Sequence, residues 1–156
     1  MFTCTGTLTL NAAFLQEIKE DNQHLRALVD RTAAMLSPEI VRVRLRILAE
    51  TIGELRDQLA THFSLEEFFG YFDDAMDAAP WLSSQAEILR VQHETLFTEI
   101  CDVVEDVEKL LYGESFRGLD AIKKSFSAFY TKLQDHEHCE NELIMQALYE
   151  DIGVGD

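Results

Sequence analysis

Apolar residues recur along this chain at helical spacing in four long runs, separated by three breaks. In the first run Phe14, Ile18, Leu25, Leu28 or Val29, and Leu36 share one face. Asn11 reads as its N-cap, with Leu10 and Leu15 placed as a hydrophobic staple, so the first helix is predicted from Asn11 to about Leu36. Ser37-Pro38-Glu39 then supplies a cap, a first-turn proline and an early acid, which start a second helix at once. Its stripe is Leu48, Ile52, Leu55, Leu59, His62, Glu66 and Phe69. From Ile40 to Ile47 apolar residues alternate with Arg42, Arg44 and Arg46, the period of a half-buried strand. Helix is nevertheless expected there, because Val41, Leu45 and Leu48 extend the stripe backwards and a lone strand would have no partner.

Gly70 to Leu82 is the longest break, and Trp81 is expected to plug the end of the bundle. Ser84 and Glu87 read as a capping box for a third helix carrying Leu89, His93, Leu96, Ile100, Val103 or Val104, and Val107, ending near Gly113. A fourth helix is predicted from about Phe116 to Tyr149, with Ile122, Phe126, Phe129, Leu133, His136, Glu140, Leu143 or Ile144, and Ala147 on one face, and Gly153 as its stop. Four long amphipathic helices with short links predict an all-α, antiparallel up-down-up-down four-helix bundle. The expected organisation is an N-terminal arm over 1–10, one bundle domain over 11–150 and a short tail over 151–156.

Composition agrees with that architecture. The chain has 156 residues, two prolines and seven glycines, which suits long uninterrupted helices around one core. Its 29 acidic and 13 basic residues give a formal charge of −16, a surface that repels phosphate backbones and anionic membranes, so neither nucleic acid nor membrane is expected as a partner. Cys4, Cys101 and Cys139 are odd in number and widely spaced, implying neither a disulfide framework nor a zinc knuckle. The first ten residues show no positive n-region and no sustained apolar run, and no stretch reaches the length of a membrane span, so a cytoplasmic location is expected.

The chemistry lies in the polar residues on the apolar stripes. His62 with Glu66, and His136 with Glu140, are each spaced four apart, so imidazole and carboxylate stack on one helix face about 6 Å apart along the axis. Advancing about 100° per residue, these four and His93 fall near the centres of their stripes. His138 and Glu142 repeat the spacing but are rotated by roughly 200°, to the solvent side. Glu67 is off-centre, close enough to accept a hydrogen bond from a ligand. Burying a carboxylate without a partner costs several kcal/mol, and a chain that does so twice must supply a compensating charge, most simply a metal cation. Without the cation, these buried glutamates are expected to have raised pKa values. A lone core histidine is usually a hydrogen-bonded packing residue, and a single His-x-x-x-Glu pair is common on surfaces, but two such pairs and a third core histidine on three helices favour a metal site.

The set His62-Phe63-x-x-Glu66-Glu67, Gln92-His93 and His136-Glu137-x-x-Glu140 resembles the hemerythrin-like, HHE cation-binding domain, over nearly the whole chain. The resemblance implies an oxo- or hydroxo-bridged pair of irons inside the bundle, with His62, His93 and His136 as nitrogen ligands and Glu66 and Glu140 bridging. Manganese or zinc would also suit carboxylate and imidazole donors. The chain departs from the family pattern in the first helix, where Asp21-Asn22 precedes Leu25 and the ligand position holds Asn22. His24 is nearby but lies roughly 110° from the stripe centre, reaching the site only if that helix rotates or unwinds. Leu89 and Phe97 flank His93 where oxygen-carrying hemerythrins have further histidine, and Asn141 stands where they use aspartate, so reversible oxygen carriage has the weakest support.

The expected function is metal-dependent binding, sensing or detoxification of a small ligand (dioxygen, nitric oxide or peroxide), or iron buffering. Two alternatives stand beside it: a metal-free bundle acting as a protein interaction module, and a carboxylate-bridged di-iron oxidative enzyme, for which this core offers few glutamates. No glycine-rich phosphate loop and no nucleophile-base arrangement is visible, so neither hydrolysis nor phosphoryl transfer is expected.

Overall fold

The computed structural model describes residues 4–68, 73–114 and 118–154, with side chains described over 20–37, 44–67, 79–114 and 118–147 and at 73, 76 and 77. Long helices dominate: α1 (Cys4–Met35), α2 (Pro38–Phe68), the short α3 (Asp73–Ala78), a 3-10 turn (Pro80–Leu82), α4 (Ser83–Leu111) and α5 (Leu119–Val154). Contacts between helices fix their directions. Asp21 meets Gln58 while the chain turns back at 36–37; Glu67 meets His93 while Arg56 lies near Cys101; Gln92 meets His136 while Glu99 pairs with Lys132; Arg26 meets Glu137 while Asp30 meets Tyr130. In each pair one number rises as its partner falls, so neighbouring long helices run antiparallel and the bundle is up-down-up-down.

The predicted stripes form the core. Every stripe residue from Leu25 to Ala147 with a described side chain is buried, apart from the partly buried Leu45 and Ile144. Phe14, Ile18, Val41 and Phe69, the Leu10–Leu15 staple, Phe116 and the Tyr149 side chain lie outside the described positions. Leu25, Leu28, Val29, Ile52, Leu55, Ile100, Phe126 and Phe129 belong to one large apolar cluster, and Ala79, Leu82, Ala86, Leu89, Leu143 and Ala147 to a smaller one. Burial of each large aliphatic side chain contributes about 1.5–3 kcal/mol, so the bundle has a driving force independent of its polar residues. His93 lies between Leu89 of the small cluster and Leu96 of the large one, and His136 and Glu140 lie between Leu133 and Leu143. The polar stripe residues therefore form a layer sandwiched between two apolar plugs.

Four local expectations are corrected. First, α1 begins at Cys4 and Asn11 lies inside it: no proline interrupts the preceding residues, and asparagine in a helix interior costs less than about 1 kcal/mol. Second, α2 spans the strand-like stretch, but Arg44 has non-helical angles (φ −130°, ψ 31°), so the mixed periodicity marks a kink between two helical pieces. Third, Trp81 is 62% exposed; the 3-10 turn directs Leu82 inward instead, and α4 follows it with no side-chain cap bond, Ser83 donating to the Pro80 carbonyl at 2.6 Å. Fourth, α5 continues through Gly153 to Val154, an interior glycine costing a helix only about 1 kcal/mol.

The end of α4 is as expected. Glu114 N–H donates to Lys109 O at 2.8 Å and Gly113 N–H to Leu110 O at 3.3 Å, the paired bonds of a Schellman cap with Gly113 in the left-handed region at φ 71°. A Cβ there would meet nothing within 4 Å, so only backbone strain opposes it. Gly113→Ala is expected to cost about 1–2 kcal/mol, read as a lowered Tm with unchanged helicity.

Candidate metal centre

Each long helix after α1 delivers its polar stripe residues to one layer because their phase matches that of the apolar neighbours. His62, Glu66, His93, His136 and Glu140 are all buried, His62 and Glu66 to 1% exposure. Ligand atoms of Glu66, His93, His136 and Glu140 all lie within 4.8 Å of one another. His62 joins them through Nε2, 2.7 Å from Glu66 Oε1. His93 Nε2 stands between the two carboxylates, 3.1 Å from Glu66 Oε2 and 3.1 Å from Glu140 Oε1, and His136 Nε2 is 2.6 Å from Glu140 Oε1. Phe63 stacks on His93 with ring centroids 4.0 Å apart and so fixes the plane of that imidazole.

All three rings are oriented alike. Their Nδ1 atoms face outward to acceptors: His62 to Asp21, His93 to Glu67 Oε1 at 3.3 Å, and His136 to Gln92 Oε1 at 2.8 Å. Asp21 is itself held by Gln58 Nε2 at 2.5 Å. An acceptor at Nδ1 places the proton there, leaving the Nε2 lone pair of the neutral ring aimed inward. Such outward partners are what orient metal-binding histidines.

Inside the layer His93 Nε2 and Glu140 Oε1 are hydrogen-bonded at 3.1 Å, but not every close pair is. Both oxygens of Glu66 and Nε2 of His136 are buried without a hydrogen-bond partner among the described residues, although other donor atoms lie within about 3 Å of them. These atoms are close to other polar atoms yet keep unfilled bonding capacity inside the layer. Orphaned polar atoms in a core cost about 1–3 kcal/mol each, and a cation among them removes that cost. The donor set of three imidazole nitrogens and two carboxylates suits a first-row transition metal.

The electrostatics differ from the sequence expectation in one respect. Burial pushes Glu66 up, but His62 and His93 beside it outweigh burial and bring its pKa down to about 2. Burial likewise pushes the imidazoles down, yet Asp21 and Glu66 raise His62 to about 10, and Glu140 and Glu66 raise His93 to about 9. In the metal-free protein the compensating charge is therefore imidazolium, and Glu66 stays ionised rather than taking up a proton. Glu137 goes the other way, raised mainly by its burial.

His138 is 73% exposed and pairs with Glu142, at 3.3 Å on the surface, as its phase requires. His24 is exposed and takes no part in the layer, whereas Asn22 on the same helix turns its Oδ1 into the interior. Cys101 is partly buried, Cys139 is exposed, and both are free. Glu67 has the acceptor role its phase suggested. The outward contacts of Asp21 and Gln92 were not foreseen; each depends on which helix lies opposite, and the only signal was their position next to a stripe residue.

A helical bundle with a buried histidine and carboxylate layer defines a class of cation-binding proteins. The hemerythrin HHE cation-binding domain matches residues 13–148, and the chain belongs to that family. Comparison with curated proteins and with solved structures gave no match. Among the described residues, no helix is long and apolar enough to cross a membrane.

Proposed function

We propose that the chain holds a non-haem pair of iron ions in this layer and uses it to bind a small ligand, dioxygen, nitric oxide or peroxide, for sensing or detoxification. One observation carries the reading: three Nε2 atoms converge on two buried carboxylates while every Nδ1 is held outward. His62 with Glu66 and His136 with Glu140 would each serve one ion, and His93, equidistant from both carboxylates, stands between them. Iron in such a set supplies reversible coordination of, or electron exchange with, a small diatomic or peroxide. Glu66 and Glu140 would balance the cationic charge, and Asp21, Glu67 and Gln92 keep the imidazoles neutral at Nε2 and correctly turned.

Access is narrow. A cleft of about 230 Å³ between α4 and α5, lined by Gln92, Thr95, Lys132, Asp135 and Cys139, reaches His136. It is large enough to admit a small ligand to His136. Protein loaded with ferrous iron under argon should change its visible spectrum on addition of nitric oxide or hydrogen peroxide, the change being complete by about one equivalent per iron. An iron-loaded protein whose spectrum ignores both would contradict the ligand-binding role. Zinc or manganese recovered instead of iron would contradict the assignment of the metal.

A further inference from the structure

Asn22 is the one described polar residue of α1 whose buried oxygen has no hydrogen-bond partner among the described residues. It precedes the fully buried Leu25 by three positions, on the stripe that continues through Val29, Thr32 and Leu36. Two cross-helix contacts set its height in the bundle. Asp21, its neighbour, binds the outer nitrogen of His62 on α2, and Arg26, four residues on, meets Glu137 on α5 at 3.5 Å. Because α1 and α5 run antiparallel, stepping back one turn from Arg26 corresponds to stepping forward one turn from Glu137, which brings Asn22 level with Glu140. α2 and α5 each bring an imidazole and a carboxylate to this layer and α4 an imidazole, whereas α1 brings an amide.

Elsewhere a buried amide oxygen is satisfied by an N–H or O–H donor; Thr32 on the same stripe, for comparison, donates to the Leu28 carbonyl at 2.8 Å. An apolar side chain of similar volume at position 22 would spare the fold the cost of the orphaned oxygen. Keeping asparagine there is a cost to stability that a ligand-facing role explains. We infer that Asn22 Oδ1 is the α1 donor to the metal layer, a neutral oxygen that holds the position a small exogenous ligand displaces. Among the donors, the others are carboxylates or imidazoles fixed by partners; an uncharged amide oxygen coordinates most weakly and yields first. The inference rests on the metal-binding reading.

The test uses full-length protein with Asn22→Leu and Asn22→His, each followed by three readouts: Tm of the metal-free protein, rate of iron loss to a chelator, and nitric oxide affinity of the iron-loaded protein. Asn22→Leu should raise the metal-free Tm yet speed iron loss about tenfold, a pairing that a purely structural residue would not show. Asn22→His, which replaces the weak donor by a strong one, should slow iron loss and weaken nitric oxide binding about tenfold. Iron loss unchanged in both variants would overturn the donor role while leaving the metal centre intact. Slower iron loss in Asn22→His with undiminished nitric oxide affinity would overturn the displaceable position. A wild-type chain that takes up no iron would overturn the inference together with the metal-binding reading.

Discussion

His62→Ala or His136→Ala lowers metal retention against a chelator at least about tenfold, whereas His138→Ala leaves it at the wild-type level. The contrast is demanding because His136 and His138 are two residues apart in one helix and each has a glutamate four residues on. Only helical phase separates them: His136 is buried with Nε2 lacking a hydrogen-bond partner among the described residues, while His138 is exposed beside Glu142. Removing His62 or His136 deletes an inward nitrogen and also leaves an acceptor, Asp21 or Gln92, without the ring it holds. Retention measured by elemental analysis after dialysis decides the matter. Equal losses from His136→Ala and His138→Ala would overturn the placement of the site in the core.

The metal-free protein is expected to be most stable between about pH 4.5 and 6.5 and to lose stability toward higher pH, by an amount on the order of a few kcal/mol by pH 10. The direction follows from the raised imidazoles. Below pH 6.5 both folded and unfolded chains carry the protons on His62 and His93, and the favourable contacts with Asp21, Glu66 and Glu140 are fully present. Above pH 6.5 the unfolded chain releases those protons while the folded chain keeps them, so stability falls until the folded groups titrate near 9 and 10. Glu66 acts at the acid end: its lowered pKa makes its contribution full above 4.5 and lost as pH falls toward 2. Metal competes with the same protons, so the gap in Tm between loaded and metal-free protein should widen from pH 6 to 9. Thermal melts across that range check both statements, and a metal-free Tm that rises between pH 7 and 10 would contradict them.

Much of this was legible from periodicity. The stripe through Leu48, Ile52, Leu55, Leu59, His62 and Glu66 identified both the buried face of α2 and the two polar residues on it, because one rotation per residue governs all six. The same rule removed His138 and His24 from the site. Local ends were harder. Asn11 and Ser84 carry the composition of caps, but a cap forms only where the preceding residues leave the helix, and those before Asn11 do not. Trp81 was expected to plug the bundle end from its apolarity alone, whereas a three-residue turn can direct few side chains inward, and Leu82 takes that place. Charges misled in a specific way: two carboxylates in a core suggested raised pKa values, but His62 from α2 and His93 from α4 stand beside Glu66, and their closeness and charge outweigh its burial. That balance depends on distances of about 3 Å between helices, which no single stripe encodes.

The most direct test is the metal content of the full-length protein purified from iron-supplemented cells and stripped of loosely held ions by a chelator. Two irons per chain are expected in the wild type, falling below one when Glu66→Ala and Glu140→Ala are combined in a protein that remains helical. Folded wild-type protein that is colourless in air and carries no stoichiometric metal would contradict a metal centre in this bundle.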